Sequence, residues 1–165
     1  LIALVNRDGS GNDQVIAGMV SAPALFRRWF AATGFGAFTE VNGGPATQIS
    51  VSKVAELKDA SISFSDLAGW GDRKERYLDF LEKVWRVRGI GDFWSHMLVA
   101  EGAVDIAAEP TLALWDMAPL AIIVEEAGGI FSDFSGTAGP FGKSGVSSNK
   151  TLHKKFLDAI KSPAS

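Results

Sequence analysis

The sequence predicts an α/β fold of layered sheets and helices, entered through a short antiparallel part. Three observations carry this. Residues 1–52 read as short strands separated by turn residues, a mainly antiparallel meander. From residue 53 onward, strand-like runs alternate with runs of helical spacing, the mark of an α/β layer. Hydrophobic residues make up 47% of the 165, enough for a core within the length of one ordinary domain. Residues 1–52 are therefore expected to supply strands of one sheet, and 53–165 the α/β layer.

Each element follows from its residues. LIALV at the start reads as a buried strand without its partner. No initiator Met precedes it, so the chain is expected to be part of a longer protein. NRDGSGND is a loop rich in turn residues. QVIAGMVSAPAL resumes strand character, with Pro23 marking an edge or a bulge. RRWFAATGFGAFTEVNGGPATQISVS sets glycines among aromatics, and its VNGG is a hairpin signal. SKVAELKDA opens on a serine cap as a short helix or turn, and SISFS is a strand by alternation. DRKERYLDFLEKVW places Tyr77, Leu78, Leu81, Val84 and Trp85 at helical spacing. RVRGIG is a strand and turn. DFWSHMLVAEG is a helix from Asp92 to Gly102, and VDIAAEP a strand. DMAPLAIIVEEAGG is a helix that opens at Asp116 and stops at Gly128 and Gly129. GIFSDFSG and SGVSSN are strands, TLHKKFLDAI is an amphipathic helix, and KSPAS is a frayed tail.

Several function classes are excluded. The net charge is −3 and the basic clusters are short and isolated, which argues against nucleic acid as a partner. No cysteine is present, so neither a disulfide nor a thiolate metal site can form, which fits a cytoplasmic protein. No apolar run reaches the ~18 residues that span a bilayer, and no signal peptide is visible. No GxxxxGK[ST] phosphate loop and no GxSxG elbow occur. The two histidines sit at unrelated positions, so a histidine zinc site is not expected. His96 reads as a partly buried packing residue and His153 as a solvated one.

The carboxylates each allow two roles. Asp116 stands where an N-cap would accept backbone N–H groups, with Pro119 in the first turn behind it. It could equally ligate a hard cation such as Mg²⁺, which takes one or two carboxylates and keeps several waters. Glu109 precedes Pro110 and is held extended at a strand end, solvated or facing a ligand at the sheet edge. Asp92 at the next helix start is again an N-cap or a ligand-facing acid, and Arg88 could neutralise it. Asn149 reads as a turn or cap residue, with substrate contact as its alternative.

LWDMAPLAIIVEEAGG resembles the C-terminal signature of the inositol monophosphatase family: Trp115, Asp116, a small residue, then an apolar helix ending Glu126, Ala127, Gly128, Gly129. The likeness extends over GMVSAPALFRRWFAATGFGAF, VRGIGDFWSHMLVAEGAVDIAAEP and SGVSSNKTLHKKFLDAI, nearly the whole chain. It implies an αβαβα layered, Mg²⁺-dependent phosphatase of small phosphate monoesters, usually a homodimer. Asp116 matches a metal ligand of that family, Glu109 the acid that contacts the substrate's polar groups, and Gly91 with Asp92 the lining of the substrate pocket. Asn149 is a further substrate-contact candidate across a dimer contact.

Two departures matter. The Gly-Glu-Glu and Asp-Pro-x-Asp-Gly-Thr segments that hold the family's other metal ligands are absent from this sequence. No catalytic residue is therefore expected in this chain, which alone should bind Mg²⁺ poorly. It would correspond to the fold without its N-terminal portion. And Asp92 stands where a small pocket residue is usual. With Glu109 it gives two anions, which suits a cationic amino alcohol, since a charge-assisted contact is about twice as strong as a neutral one. RGIGDFWSHMLVAEGAVDIAAEP is most similar to the histidinol-phosphate phosphatase branch. An inositol-1-phosphate or broad-specificity phosphatase, and a non-catalytic interaction module with a sticky sheet edge, are the alternatives.

Overall fold

In the computed structural model of the chain, residues 1–7 and 13–161 are described. The middle of the expected NRDGSGND loop and most of the expected KSPAS tail lie outside them. Five strands form the first sheet, in order along the chain: β1 (Ile2–Asn6), β2 (Gln14–Ala22), β3 (Arg27–Ala32), β4 (Gly36–Val41) and β5 (Thr47–Ile49). Every neighbouring pair is antiparallel, as the meander predicted. Pro23 does not make a bulge. It opens a 3-10 turn, Pro23–Leu25, that ends on Phe26 at φ 52° and turns the chain into β3. The VNGG signal closes the β4–β5 connection, with Gly44 N–H bonded to the Val41 carbonyl at 3.0 Å. β1 is an edge strand, and it is not buried: Ile2 is 64% and Leu4 59% exposed.

The second sheet has the order β7 (Arg86–Arg88), β6 (Ser61–Ser63), β8 (Ile106–Glu109), β10 (Gly145–Ser148), β9 (Ile130–Ser132). β6 lies parallel to both β7 and β8, and β10 is antiparallel to β8 and β9. Four helices accompany it: α1 (Lys74–Leu81), α2 (Asp92–Ala100), α3 (Leu114–Glu126) and α4 (Lys150–Ile160). The serine-capped segment at 52–60 forms only a 3-10 turn, Leu57–Asp59, because Ser52 turns its hydroxyl to Asp105 instead of capping.

Two cores fix the layers. One buries Val20, Trp29 and Ala37 of the first sheet against α2 and α3, with Phe131 of the second sheet on the far side. The other buries Ile62, Ile106 and Val146 under Tyr77 and Phe80 of α1 and Leu152, Phe156 and Ile160 of α4. The stack is thus sheet, helix pair, sheet, helix pair, and alternation along each strand divides its residues between neighbouring layers. Close approach of α3 to β2 depends on Gly18. A Cβ there would lie 2.5 Å from Ile122 Cγ2 and 2.9 Å from the Pro119 backbone. α3 is apolar nearly all round, as befits a helix between two sheets: Met117 through Val124 are all buried.

Both histidines are buried. His96 is fully so, as a packing residue, with Nδ1 2.7 Å from the Ser147 hydroxyl and Nε2 without a partner. His153 is not solvated as expected. It is 5% exposed, and its ring nitrogens lie 2.8 Å from the hydroxyls of Ser132 and Ser148. The amphipathic period of α4 turns this position inward, against β9 and β10. Burial pushes both imidazoles down to about 4.

Two outcomes follow from this packing. Gly18→Ala should destabilise the chain by about 1–3 kcal/mol, because the added methyl meets helix backbone and not a mobile side chain. Urea unfolding reads it, and a loss below ~0.5 kcal/mol would remove the close approach as a constraint. The histidines add a pH dependence. Their folded values lie below the unfolded 6.5, so the unfolded chain takes up protons first. Stability is full above pH ~6.5 and declines toward pH 4, by roughly 2–3 kcal/mol per imidazole. A urea midpoint unchanged between pH 7 and pH 4.5 would contradict it.

Candidate active site at the ends of β6 and β8

β6 lies between β7 and β8 in the second sheet, with one apolar face and one hydroxyl face. Ile62 and Phe64 pack outward into the α1–α4 core. Ser61, Ser63 and, two residues beyond, Ser65 alternate with them, and each binds a different partner. The Ser61 hydroxyl and backbone N–H donate to Asp105 Oδ2 at 2.8 and 2.6 Å. Ser63 Oγ lies 2.7 Å from Ser95 Oγ on α2, which accepts the Gly91 N–H at 3.0 Å. Ser65 Oγ donates to Glu109 Oε1 at 2.6 Å and accepts the Asp92 N–H at 2.9 Å.

Glu109 ends β8 and is 5% exposed. Burial pushes its carboxyl above the ordinary range. The Ser65 hydroxyl and N–H oppose that by bonding the ionised form, and the negative charges of Asp92 and Asp66 reinforce it. The Tyr77 hydroxyl is buried without a partner, and its pKa is driven upward by burial and by the Glu109 charge. Trp70 stacks on that ring at 3.4 Å between centroids.

Gly91 and Asp92 open α2 with two consecutive positive φ angles, 84° and 50°. Gly91, not Asp92, is the N-cap residue, and Asp92 makes no side-chain capping bond. A Cβ on Gly91 would lie 3.0 Å from Ser65 Oγ and 3.2 Å from Ser65 Cα. The close approach that this glycine permits is thus to Ser65. Asp92 is exposed, and the Arg88 guanidinium donates to the Val87 carbonyl at 2.8 Å and makes no ion pair with Asp92. Arg88 therefore does not neutralise it.

Asp116 is not the cap of α3. The helix starts at Leu114 on an Ala113 N-cap, and no side chain caps it. Asp116 lies in the first turn, half-exposed, with no hydrogen bond or ion pair to its carboxylate among the described residues. Pro119 falls within the helix and not in its first turn. Its missing N–H removes the helical hydrogen bond to the Trp115 carbonyl. Among the described residues no group of three or more histidine or acidic side chains is placed to hold a metal. Asp116 by itself is one uncommitted carboxylate, which is too few for a Mg²⁺ site.

Asn149 is not brought to this group. It is the N-cap of α4, where its Oδ1 accepts from the Thr151 and Leu152 N–H groups at 3.0 and 2.9 Å. Its Nδ2 donates to Ser52 Oγ and the Val54 carbonyl at 3.1 and 2.9 Å. That leaves the side chain, 4% exposed, no free atom for a substrate. Sequence reasoning missed Ser65, Asp66 and Asp105. The signal for Ser65 was the serine at every second position of SISFS. Nothing local marked Asp105, whose burial depends on Ser52, 53 residues away.

The sequence pattern of the inositol monophosphatase family matches residues 1–163. The chain belongs to the inositol monophosphatase family. Among its relatives, a Mycobacterium tuberculosis histidinol-phosphatase is 54% identical over 145 residues, covering 87% of this chain and 56% of the relative. A Streptomyces coelicolor histidinol-phosphatase is 48% identical, covering 95% of this chain and 59% of the relative. A solved IMPase of Thermotoga maritima superposes with a TM-score of 0.77 at 30% identity, over 89% of this chain and 56% of that one. The chain therefore spans between half and two thirds of the length of these relatives.

The two buried and half-buried aspartates should separate on mutation. Asp105→Ala strands the Ser61 N–H and should cost about 2–3 kcal/mol of unfolding free energy. Asp116→Asn touches no bond and should stay within ~1 kcal/mol, the range of a helix-dipole effect. Equal losses in urea titrations would mean that Asp116 is a structural residue after all.

Proposed function

We propose that the longer protein carrying this chain is a Mg²⁺-dependent phosphomonoesterase that hydrolyses L-histidinol phosphate to histidinol and phosphate, in histidine biosynthesis. Family membership and the names of the two relatives above support the reaction class. The Glu109–Ser65–Asp92 group supports the substrate: the buried Glu109 carboxylate is joined through the Ser65 hydroxyl to the backbone N–H of the exposed Asp92, and neither acid has an ion pair with a cation among the described residues. Burial raises the Glu109 carboxyl and the Asp92 and Asp66 charges add to it; an amine entering there would bring the counter-charge that favours the ionised form. A neutral polyol would bring none. Asp116 would supply one carboxylate to Mg²⁺, whose chemistry is to polarise the phosphate and activate water. The other ligands would come from the rest of the longer protein. We place the enzyme in the cytoplasm, acting as a homodimer on a small-molecule ester.

Phosphate release from histidinol phosphate and inositol 1-phosphate, with and without Mg²⁺, tests this on the longer protein. Turnover of histidinol phosphate that requires Mg²⁺ is expected, with the 165-residue chain alone inactive. Asp92→Ala should lower kcat/KM on histidinol phosphate by about 10-fold or more, the worth of a charged contact. It should leave inositol 1-phosphate untouched. A change below ~3-fold on histidinol phosphate would sink the amine reading in favour of a broad-specificity phosphatase.

A further inference from the structure

The geometry points to Ser65 as the positioning residue of this site: its hydroxyl joins the Glu109 carboxylate to the entry of α2, so that Glu109 and Asp92 meet one ligand as a fixed pair. This rests on the reading that those two acids take the alcohol part of the substrate. A serine hydroxyl has one proton to give and lone pairs to accept with. Here the proton goes to Glu109 Oε1 at 2.6 Å, and the oxygen accepts the Asp92 N–H at 2.9 Å. Without that bond, Glu109 would be free to rotate about its side chain at the strand end. Asp92 would be held less firmly in a left-handed conformation, φ 50°, that a non-glycine residue rarely adopts.

A second observation makes the arrangement specific. The backbone of Gly91 comes so near Ser65 that a Cβ would lie 3.0 Å from its hydroxyl oxygen. A third is the strand beneath it. Ser63 grips the Gly91 N–H through Ser95, so consecutive amides of the α2 entry are tied to alternate serines of one strand. Ser65 itself is exposed, so its hydroxyl is not demanded by burial. What it connects is the two acids.

The test is a mutant cycle in the longer protein. Ser65→Ala should raise KM for histidinol phosphate about 10-fold or more, the size of a lost bond to a charged group. Its kcat should stay within ~3-fold, since no reacting atom is touched. Ser65→Thr keeps the hydroxyl and should restore KM. On a Glu109→Gln background, Ser65→Ala should add less than ~2-fold, because the two act as one unit. Urea midpoints confirm that each variant is folded.

The proposal is overturned by an unchanged KM in Ser65→Ala, by fully additive effects with Glu109→Gln, or by equal losses in kcat and KM that Ser65→Thr does not repair. Failure of the substrate reading looks different. If the wild type shows no preference for histidinol phosphate over inositol 1-phosphate, that reading falls. The same cycle run on inositol 1-phosphate then decides the role of Ser65.

Discussion

A buried strand must satisfy every polar atom that it takes out of water, and β6 does this with a line of hydroxyls. A bare hydroxyl in an apolar layer costs about 1–3 kcal/mol, so the buried Ser61 and Ser63 have to find partners. Ser61 finds Asp105, Ser63 finds Ser95, and Ser65, at the open end, finds Glu109 and the Asp92 amide. Those partners lie on β8, on the residue just before it, and on α2. Pairing of the two buried hydroxyls ties β6 to its surroundings, and the Ser65 pairing at the exposed end joins Glu109 to the α2 entry.

The Asp105 node extends the same logic to the chain's connections. Its two oxygens accept from Ser52 and Ser61, and Ser52 in turn accepts from Asn149, the cap of α4. Three segments far apart in sequence are held by one buried carboxylate. A charge in that position is tolerable only because it is fully hydrogen-bonded. The consequence for the site is that Asn149 and Asp105 are spent on architecture. Asp116, on the packed helix α3, is left with an uncommitted carboxylate. Glu126 at the other end of that helix is also spent, bonding the Gly34 and Gly36 amides of the β3–β4 turn at 2.9 and 2.8 Å.

Charge at the site is deliberately unbalanced. Glu101 meets Arg27 and the Trp29 indole, a bonded and partly buried pairing of the kind usual for a structural acid. Glu109 has a hydroxyl and two further acids near it instead. A carboxyl raised by burial beside like charges, at the edge of a sheet, is a candidate for ligand binding.

Sequence by itself determined the element list, the antiparallel meander of the first sheet, the alternating second part and the family signature. These rest on local periodicity and turn chemistry, which act over a few residues. It also singled out Glu109, Asp92, Gly91 and Asp116. Only the tertiary structure decided which polar residues were structural. Asp116 lost its capping role, Asn149 its substrate contact and His153 its solvent, while Ser65 and Asp105 gained roles that no local pattern announced. The reason is physical. Whether a polar atom is buried, and what satisfies it, depends on partners tens of residues away, such as Ser65 with Glu109 and Ser52 with Asp105. No spacing within one segment encodes those meetings.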